Sequence, residues 1–175
     1  DAAKLTGVVV EMKYSYRYGD NCSASSELQN MVNEWYKSGT ECIFSCGGEM
    51  CDSVFEAALA NNGKSIGVDV DQSSVSDTVI TSAMKGLSSG VQKILTSFYA
   101  GKWVLVGGLS SNLGVDDNAV GLPFATSKFE KFTESEYVKL VNSMKSGGTL
   151  EVKNDFSAFL AGGETFENVA VSFVK

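Results

Sequence analysis

The chain has 175 residues, of which 43% are hydrophobic and 20% charged, and its formal net charge is −7. This composition is typical of a globular chain with one core. The acidic balance, without a basic stripe, argues against nucleic acid or an anionic membrane surface as a partner. Histidine is absent, which removes the commonest general base and the commonest metal ligand. We predict no metal site and no cofactor. No apolar window is long enough to span a bilayer.

The first residues do not show the charged segment followed by an apolar segment that is typical of a leader peptide. Instead, residues 1–5 are typical of the last turn of a helix that ends before Gly7, so we expect a fragment or a product cut upstream. Apolar runs, amphipathic stretches and turn residues then alternate along the chain. They predict strands over Val8–Met12, Cys42–Cys46, Ser65–Val70, Thr78–Met84, Trp103–Val106 and Thr149–Val152.

Helices are predicted between these strands, each from an apolar stripe at helical spacing. The inward-facing residues of the four stripes are Leu28, Met31, Val32, Trp35 and Tyr36; Val54, Phe55, Ala58 and Leu59; Leu87, Val91, Leu95 and Phe98; and Tyr137, Leu140, Val141 and Met144. Strands alternating with helices over short joints indicate right-handed parallel crossovers. The predicted fold class is α/β, a three-layer lobe around a parallel sheet. We expect residues 1–153 to form this lobe and residues 154–175 to be an irregular, Phe-rich tail that packs on the main body or on an absent lobe.

Two acids close the third strand, in the run Ile66–Gln72. Ligands of open α/β sheets bind beyond the carboxyl ends of the strands, and a carboxylate there can accept from two adjacent hydroxyls. Asp69 and Asp71 are therefore candidate ligands for a sugar, although aspartate is also common in turns. Lys85 ends the next strand and is predicted to share this edge, where it would offset the charge of Asp69 and donate to a second hydroxyl.

A second candidate contact is the joint between the second strand and its helix. Cys46, Gly47 and Gly48 are predicted to contact the ligand, because backbone N–H groups at a helix N-terminus can meet a polar ligand. The alternative is that the glycine pair only forms a tight turn between strand and helix. The following Glu49 opposes phosphate and favours a neutral ligand. The four cysteines fit no zinc pattern, and a buried thiol or a disulfide between two of them both remain open.

Aromatic side chains could supply a stacking surface for a flat base. Tyr14, Tyr16 and Tyr18 alternate with polar residues after the first strand and share one face if the chain stays extended. Ordinary packing is the alternative explanation for these rings.

Five segments together resemble the basic membrane lipoprotein family, in order and approximate spacing from about residue 8 to residue 123. They are Cys42–Gly48, Val54–Ala58, Ile66–Gln72, Val79–Lys85 and Gly121–Pro123. Members of this family are substrate-binding lipoproteins of ABC importers, with the purine nucleoside receptor as the best-known type. The resemblance implies two lobes of a type I periplasmic-binding-protein-like fold with a ligand cleft between them, of which this chain is the C-terminal lobe.

The resemblance also implies roles for individual residues. In the family, the acid of the GVD segment and the lysine after the TSA segment hold the ribose, which assigns that role to Asp69 and Lys85. Aromatic residues sandwich the base, with Tyr16 and Phe44 as candidates. The implied partners are a nucleoside and the membrane permease of an ABC transporter. The protein would be extracytoplasmic, anchored by an N-terminal lipid outside this chain.

The loop after Gly48 departs from many relatives, which have further glycines where this chain has Glu49–Asp52. This loop is therefore predicted to contact a different edge of the base than it does in those relatives. Some relatives bind flavin-type ligands in place of a nucleoside. We expect no enzymatic activity. Two alternatives are a ligand-sensing lobe of an intracellular, repressor-like regulator and, less favoured, a nucleoside hydrolase that uses Asp69 and Asp71.

Overall fold

The computed structural model describes residues 3, 6–18, 21–147 and 167–174. The chain divides into two compact units, Asp1–Asn21 with Leu150–Lys175, and Cys22–Thr149. The strands are β1 (Val10–Tyr14), β2 (Cys42–Phe44), β3 (Lys64–Asp69), β4 (Val79–Lys85), β5 (Val120–Gly121) and β6 (Val169–Phe173). The helices are α1 (Ser26–Lys37), α2 (Met50–Asn61), α3 (Leu87–Tyr99) and α4 (Glu134–Lys145).

The larger unit is built on a four-stranded sheet with the order β2-β3-β4-β5. β2, β3 and β4 are parallel, whereas the short β5 pairs with β4 in the antiparallel direction. Helix α2 connects the parallel neighbours β2 and β3, which is the crossover that the alternating pattern predicts. The predicted α/β class with parallel strands is thus confirmed.

The core of this unit lies where α1 and α2 meet each other and the sheet. Val32 of α1, Val54 of α2 and Val79 of β4 are almost completely buried, and Cys51 and Phe55 of α2 pack with Val79. Burial of such side chains is worth about 1.5–3 kcal/mol each, which makes this region the main source of stability in the unit. The predicted stripe of α1 is inward at Leu28, Val32 and Tyr36.

The later part of the unit differs from the prediction in two ways. Trp103–Leu105 is a 3-10 helix, not a strand, because the carbonyl of Trp103 accepts from the N–H groups of Val106 and Gly107 and so closes the backbone locally. Neither α3 nor α4 has a buried residue, and the predicted inward stripe of α3 is about half exposed. In α2, Leu59 is also exposed rather than inward.

The smaller unit pairs β1 with β6 in parallel, from Val10 opposite Val169 to Tyr14 opposite Phe173. The predicted irregular tail is therefore wrong for Val169–Phe173, which is a strand. The predicted strand over Thr149–Val152 and most of the tail lie outside the described residues, and the boundary at residue 153 stays a prediction. Among the residues that the structure describes, no helix has the length and apolar character to cross a membrane.

Candidate functional site

Asp69 and Lys85 form an ion pair where two neighbouring parallel strands end. Asp69 is the last residue of β3 and lies opposite Met84, so Lys85 at the end of β4 is only one residue further along. Lys85 Nζ lies 2.6 Å from Asp69 Oδ1. Their side chains are 62% and 41% exposed, although the paired oxygen Asp69 Oδ1 is itself buried. The predicted proximity of these two residues is therefore present in the structure.

The electrostatics of the pair favour an ionised lysine. The hydrogen bond from Lys85 to Asp69, and then the carboxylate charge, raise the pKa of Lys85 above its ordinary value. A partly exposed pair of this kind adds little to stability because water screens it. It does present a carboxylate oxygen as an acceptor and ammonium protons as donors side by side, a combination suited to adjacent hydroxyls.

The glycine joint after β2 lies at the same end of the sheet as this pair. β2 and β3 pair Phe44 with Ile66, and three residues further along the chain from each of these lie Gly47, just beyond the end of β2, and Asp69. The exposed Cys46 also lies close enough to Lys85 to add a small increase to the pKa of the lysine. The structure thus brings Cys46 and the glycines to the same end of the sheet as Asp69 and Lys85.

Close packing explains why glycine occupies both positions of the joint. A Cβ on Gly47 would lie 2.6 Å from Met50 Sδ and 3.2 Å from Cys22 Sγ, and Gly48 has a φ of +35°. The N–H of Met50 donates to the carbonyl of Cys22 at 2.9 Å, which holds the start of α2 against the segment before α1. The joint is therefore a shaped turn, as its glycine pair predicts, and its contact with a ligand stays a prediction.

Asp71 has partners within the protein. Its Oδ2 accepts from Thr126 Oγ1 at 2.7 Å and its Oδ1 accepts from the N–H of Ser73 at 3.0 Å. These hydrogen bonds, that from Thr126 first, lower the pKa of Asp71. Asp71 thus ties the loop after β3 to the segment after Pro123, and its predicted role as a ligand is less well supported than that of Asp69.

Tyr16 belongs to the smaller unit and packs on aromatic neighbours there. Its ring centroid lies 5.1 Å from that of Phe173 and 6.4 Å from that of Tyr14. The side chain is 62% exposed, which leaves a face available for stacking. Its role beside a base stays a prediction, as does that of the half-exposed Phe44 in β2.

Two polar residues support the site in the structure, although the sequence did not predict this role for them. Gln72 returns its side chain to β3, where Oε1 accepts from the N–H of Val68 at 2.8 Å. Ser82 is fully buried in β4 and accepts from the N–H of Gln72 at 3.0 Å. The sequence offered two signals for them. Ser82 is a small hydroxyl residue inside an otherwise largely apolar strand, and Gln72 is an amide directly after the two acids at the end of β3.

The comparisons with known proteins agree on the fold and the family. The Bmp family, described as ABC transporter substrate-binding protein PnrA-like, matches residues 7–153. Basic membrane protein D of Borreliella burgdorferi (strain JD1) is 31% identical over 147 residues, which cover 81% of this chain and 42% of that protein.

Two solved structures share the fold at low sequence identity. A transcriptional activator of the comK gene from Bacillus halodurans has a TM-score of 0.54 and 21% identity, with 74% of this chain and 44% of that chain covered. An ABC transporter solute-binding protein from Aeropyrum pernix K1 has a TM-score of 0.50 and 16% identity, with 92% and 56% covered.

The chain spans about half the length of these relatives. The family match covers most of the chain, including β2, β3, β4 and the residues that end them. This chain belongs to the Bmp family of PnrA-like ABC transporter substrate-binding proteins.

Proposed function

We propose that this chain is one lobe of a substrate-binding protein that captures a purine nucleoside for an ABC importer. The observation that carries the proposal is the ion pair between Asp69 and Lys85 at the carboxyl ends of adjacent parallel strands. Its position is where open α/β sheets bind ligands. In a chain of this family, it supports recognition of a ribose by a carboxylate and an ammonium group.

The chemistry of the surroundings favours an uncharged ligand. The net charge of −7 and the exposed Glu49 beside the glycine joint would repel a phosphate group. The two vicinal hydroxyls of a ribose could donate to Asp69, and one of them could accept from Lys85. A nucleoside satisfies these donors and acceptors without adding charge.

A single lobe would supply only half of the contacts. Because the chain spans about half the length of its relatives, we propose that a second lobe closes over the ligand by a hinge motion. The complete protein would present the closed complex to a membrane permease from the extracytoplasmic side, anchored by a lipid at its N-terminus. It would release the nucleoside chemically unchanged.

Calorimetry on the complete protein with inosine, adenosine, guanosine and riboflavin tests the ligand class. Binding of at least one nucleoside is expected, and binding of none of them would contradict the proposal. The substitution Asp69→Ala is expected to weaken binding by roughly 2–5 kcal/mol, the scale for leaving buried polar partners unpaired.

Asp77→Ala is the matched control for Asp69→Ala. Asp77 is a fully exposed aspartate that pairs with Lys128 at 4.0 Å, just before the opposite end of β4. We expect Asp77→Ala to leave affinity unchanged. Equal affinities of the Asp69→Ala protein and the unsubstituted protein would contradict the ribose role of Asp69.

A regulator is the second candidate, because the activator from Bacillus halodurans shares the fold. The sequence of the complete gene separates the two candidates. A lipoprotein signal with a lipidated cysteine supports the importer, whereas an encoded DNA-binding helix-turn-helix supports the regulator. Turnover of a nucleoside that is lost in Asp69→Asn would instead indicate a hydrolase.

A further inference from the structure

The backbone around Asp69 is held in an unusual conformation. Asp69 has a φ of +68°, in the left-handed region that non-glycine residues seldom adopt. The N–H of Val70 donates to the carbonyl of Val68 at 2.8 Å, which closes a three-residue turn centred on Asp69. Such turns with positive φ are rare and strained, and they persist only where neighbouring groups hold them in place.

Gln72 is the residue that holds this turn. Its Oε1 accepts from the N–H of Val68, immediately before Asp69, at 2.8 Å. Its own N–H donates to the buried Ser82 Oγ on β4 at 3.0 Å. Gly67 leaves the necessary space, because a Cβ there would lie 2.5 Å from Ser82 Oγ and 2.8 Å from Gln72 Oε1. Gln72 thus links the two strands, because its side chain binds the end of β3 and its backbone N–H binds β4.

The same amide also reaches helix α2. Gln72 Nε2 donates to Cys51 Sγ at 3.3 Å, and Cys51 is a buried residue of the first turn of α2. That turn follows directly on the glycine joint at Gly47 and Gly48. Gln72 therefore connects the turn that carries Asp69 to the helix that begins at the joint.

We propose that Gln72 is a positioning residue that sets the preference of this site for ribose over 2′-deoxyribose. It does so by keeping Asp69 in the turn that directs its carboxylate to Lys85. The inference rests on the proposed function, in which Asp69 and Lys85 bind the sugar hydroxyls. Gln72 itself uses its amide within the protein, so its effect on a ligand passes through Asp69.

An amide is suited to this role because it offers an acceptor and a donor at once. Gln72→Met keeps the approximate shape of the side chain and removes both functions. Gln72→Glu keeps an acceptor for the N–H of Val68 and loses the donor to Cys51. Gln92→Met is the matched control, since Gln92 is an exposed glutamine of α3.

The first test titrates the complete protein and its variants with inosine and 2′-deoxyinosine. We expect Gln72→Met to weaken inosine roughly tenfold, the size of about one hydrogen bond, and to weaken 2′-deoxyinosine less, because only the 3′-hydroxyl of the deoxynucleoside can donate to Asp69. Gln72→Glu should recover part of the preference, and Gln92→Met should leave both affinities unchanged. An equal loss for both nucleosides, or no loss in Gln72→Met, would overturn the proposal.

The second test needs no ligand and therefore separates this inference from the proposed function. NMR titration of the Lys85 side chain reports whether Asp69 remains beside it, because Asp69 raises the pKa of Lys85. Gln72→Met should lower that pKa towards the value found in Asp69→Asn. An unchanged pKa would overturn the positioning role even if nucleosides bind. A lowered pKa without nucleoside binding would contradict the proposed function and the ribose preference, while leaving the structural role of Gln72 intact.

A second pair of variants is available if Gln72→Met does not fold. Cys51→Ala removes the sulfur that accepts from Gln72, whereas Cys51→Ser supplies an oxygen acceptor in its place. We expect a smaller loss of ribose preference in Cys51→Ala and its recovery in Cys51→Ser. The same ribose preference in both variants would count against the link through α2.

Discussion

Gly86 lies directly after Lys85, where two stretches of backbone approach closely. Its N–H donates to the carbonyl of Ala119 at 2.8 Å, and a Cβ at Gly86 would lie 2.2 Å from the carbonyl oxygen of Asn118. The obstacle is backbone rather than a flexible side chain, so it cannot simply rotate away. This contact keeps the end of β4 against β5, where Lys85 lies opposite Val120.

We therefore expect Gly86→Ala to lower the free energy of unfolding by about 1–3 kcal/mol, the usual cost of forcing extra atoms into a packed site. Gly114→Ala is the control, because a Cβ there has no atom within 4 Å and the φ of Gly114 is −127°. Urea denaturation measures both variants. Equal stability of the two would show that the loop around Asn118 yields without cost.

Individual residues of the site were predictable to different degrees. Asp69 and Lys85 could be paired because the ends of parallel strands meet at one edge. Without the family resemblance, the residue pattern could not distinguish Asp71 from Asp69, since both acids lie at the carboxyl end of the same strand. Its partner Thr126 is 55 positions away, and only the folded chain brings the two together.

Between elements, helices α1 and α2 are joined by polar contacts along their length. Ser25 meets Ser53, Gln29 donates to Glu56, and Asn61 donates to Asn33. The buried Ser53 hydroxyl accepts from the N–H of Ser25 at 2.9 Å and donates to its carbonyl at 3.1 Å. One side chain thus satisfies both backbone groups of the residue that caps α1.

Ser53→Ala should lower the free energy of unfolding by about 1 kcal/mol, because it removes the acceptor of the part-buried N–H of Ser25, whereas the carbonyl of Ser25 still accepts from the N–H of Gln29 at 3.0 Å. Ser88→Ala, an exposed serine in the first turn of α3, is the matched control and should change stability by less than about 0.5 kcal/mol. Chemical denaturation monitored by circular dichroism distinguishes them. If both substitutions have the same small effect, water must replace the lost hydroxyl.

The apolar stripes predict that all four helices exist, but not which of them become buried. α1 and α2 bury their stripes against each other and the sheet, whereas Leu87, Val91 and Phe98 of α3 stay about half exposed. Periodicity identifies the apolar face of a helix. It carries no information about what covers that face.

For the molecule as a whole, several groups bind protons more tightly in the folded than in the unfolded state at alkaline pH. Burial raises the pKa of Tyr36 above its ordinary value of 10.0, and burial raises the pKa values of Cys42 and Cys51 above their ordinary value of 9.0. As the pH rises, the unfolded chain therefore releases these protons at a lower pH than the folded chain does. Stability contributed by the protonated groups is therefore complete below about pH 9 and is lost as the pH rises further.

We expect the free energy of unfolding to decline progressively above pH 9, with up to about 1.4 kcal/mol per pH unit for each group that differs fully in protonation. Tyr36→Phe should reduce this slope above pH 10. At pH 7 it should cost about 0.5–1.5 kcal/mol, because the hydroxyl donates to the carbonyl of Lys64 at 2.7 Å.

Urea denaturation at pH 7, 9 and 10.5 measures both effects, and Tyr99→Phe, at an exposed tyrosine, is the matched control. An identical slope in Tyr36→Phe and the unsubstituted chain would show that Tyr36 is not the group responsible above pH 10.

The sequence by itself determined the α/β class, the four α-helices, the residues that close β3 and β4, and a resemblance that the family match confirms. These features are local, because periodicity, turn residues and strand ends are written within short windows. Only the tertiary structure decided that β1 pairs with β6, that Gln72 joins β3 to β4 and α2, and that α3 keeps its apolar face exposed. Each of these depends on contacts between residues distant in the chain or on packing against a neighbouring element, and no local pattern specifies which distant partner a segment will meet.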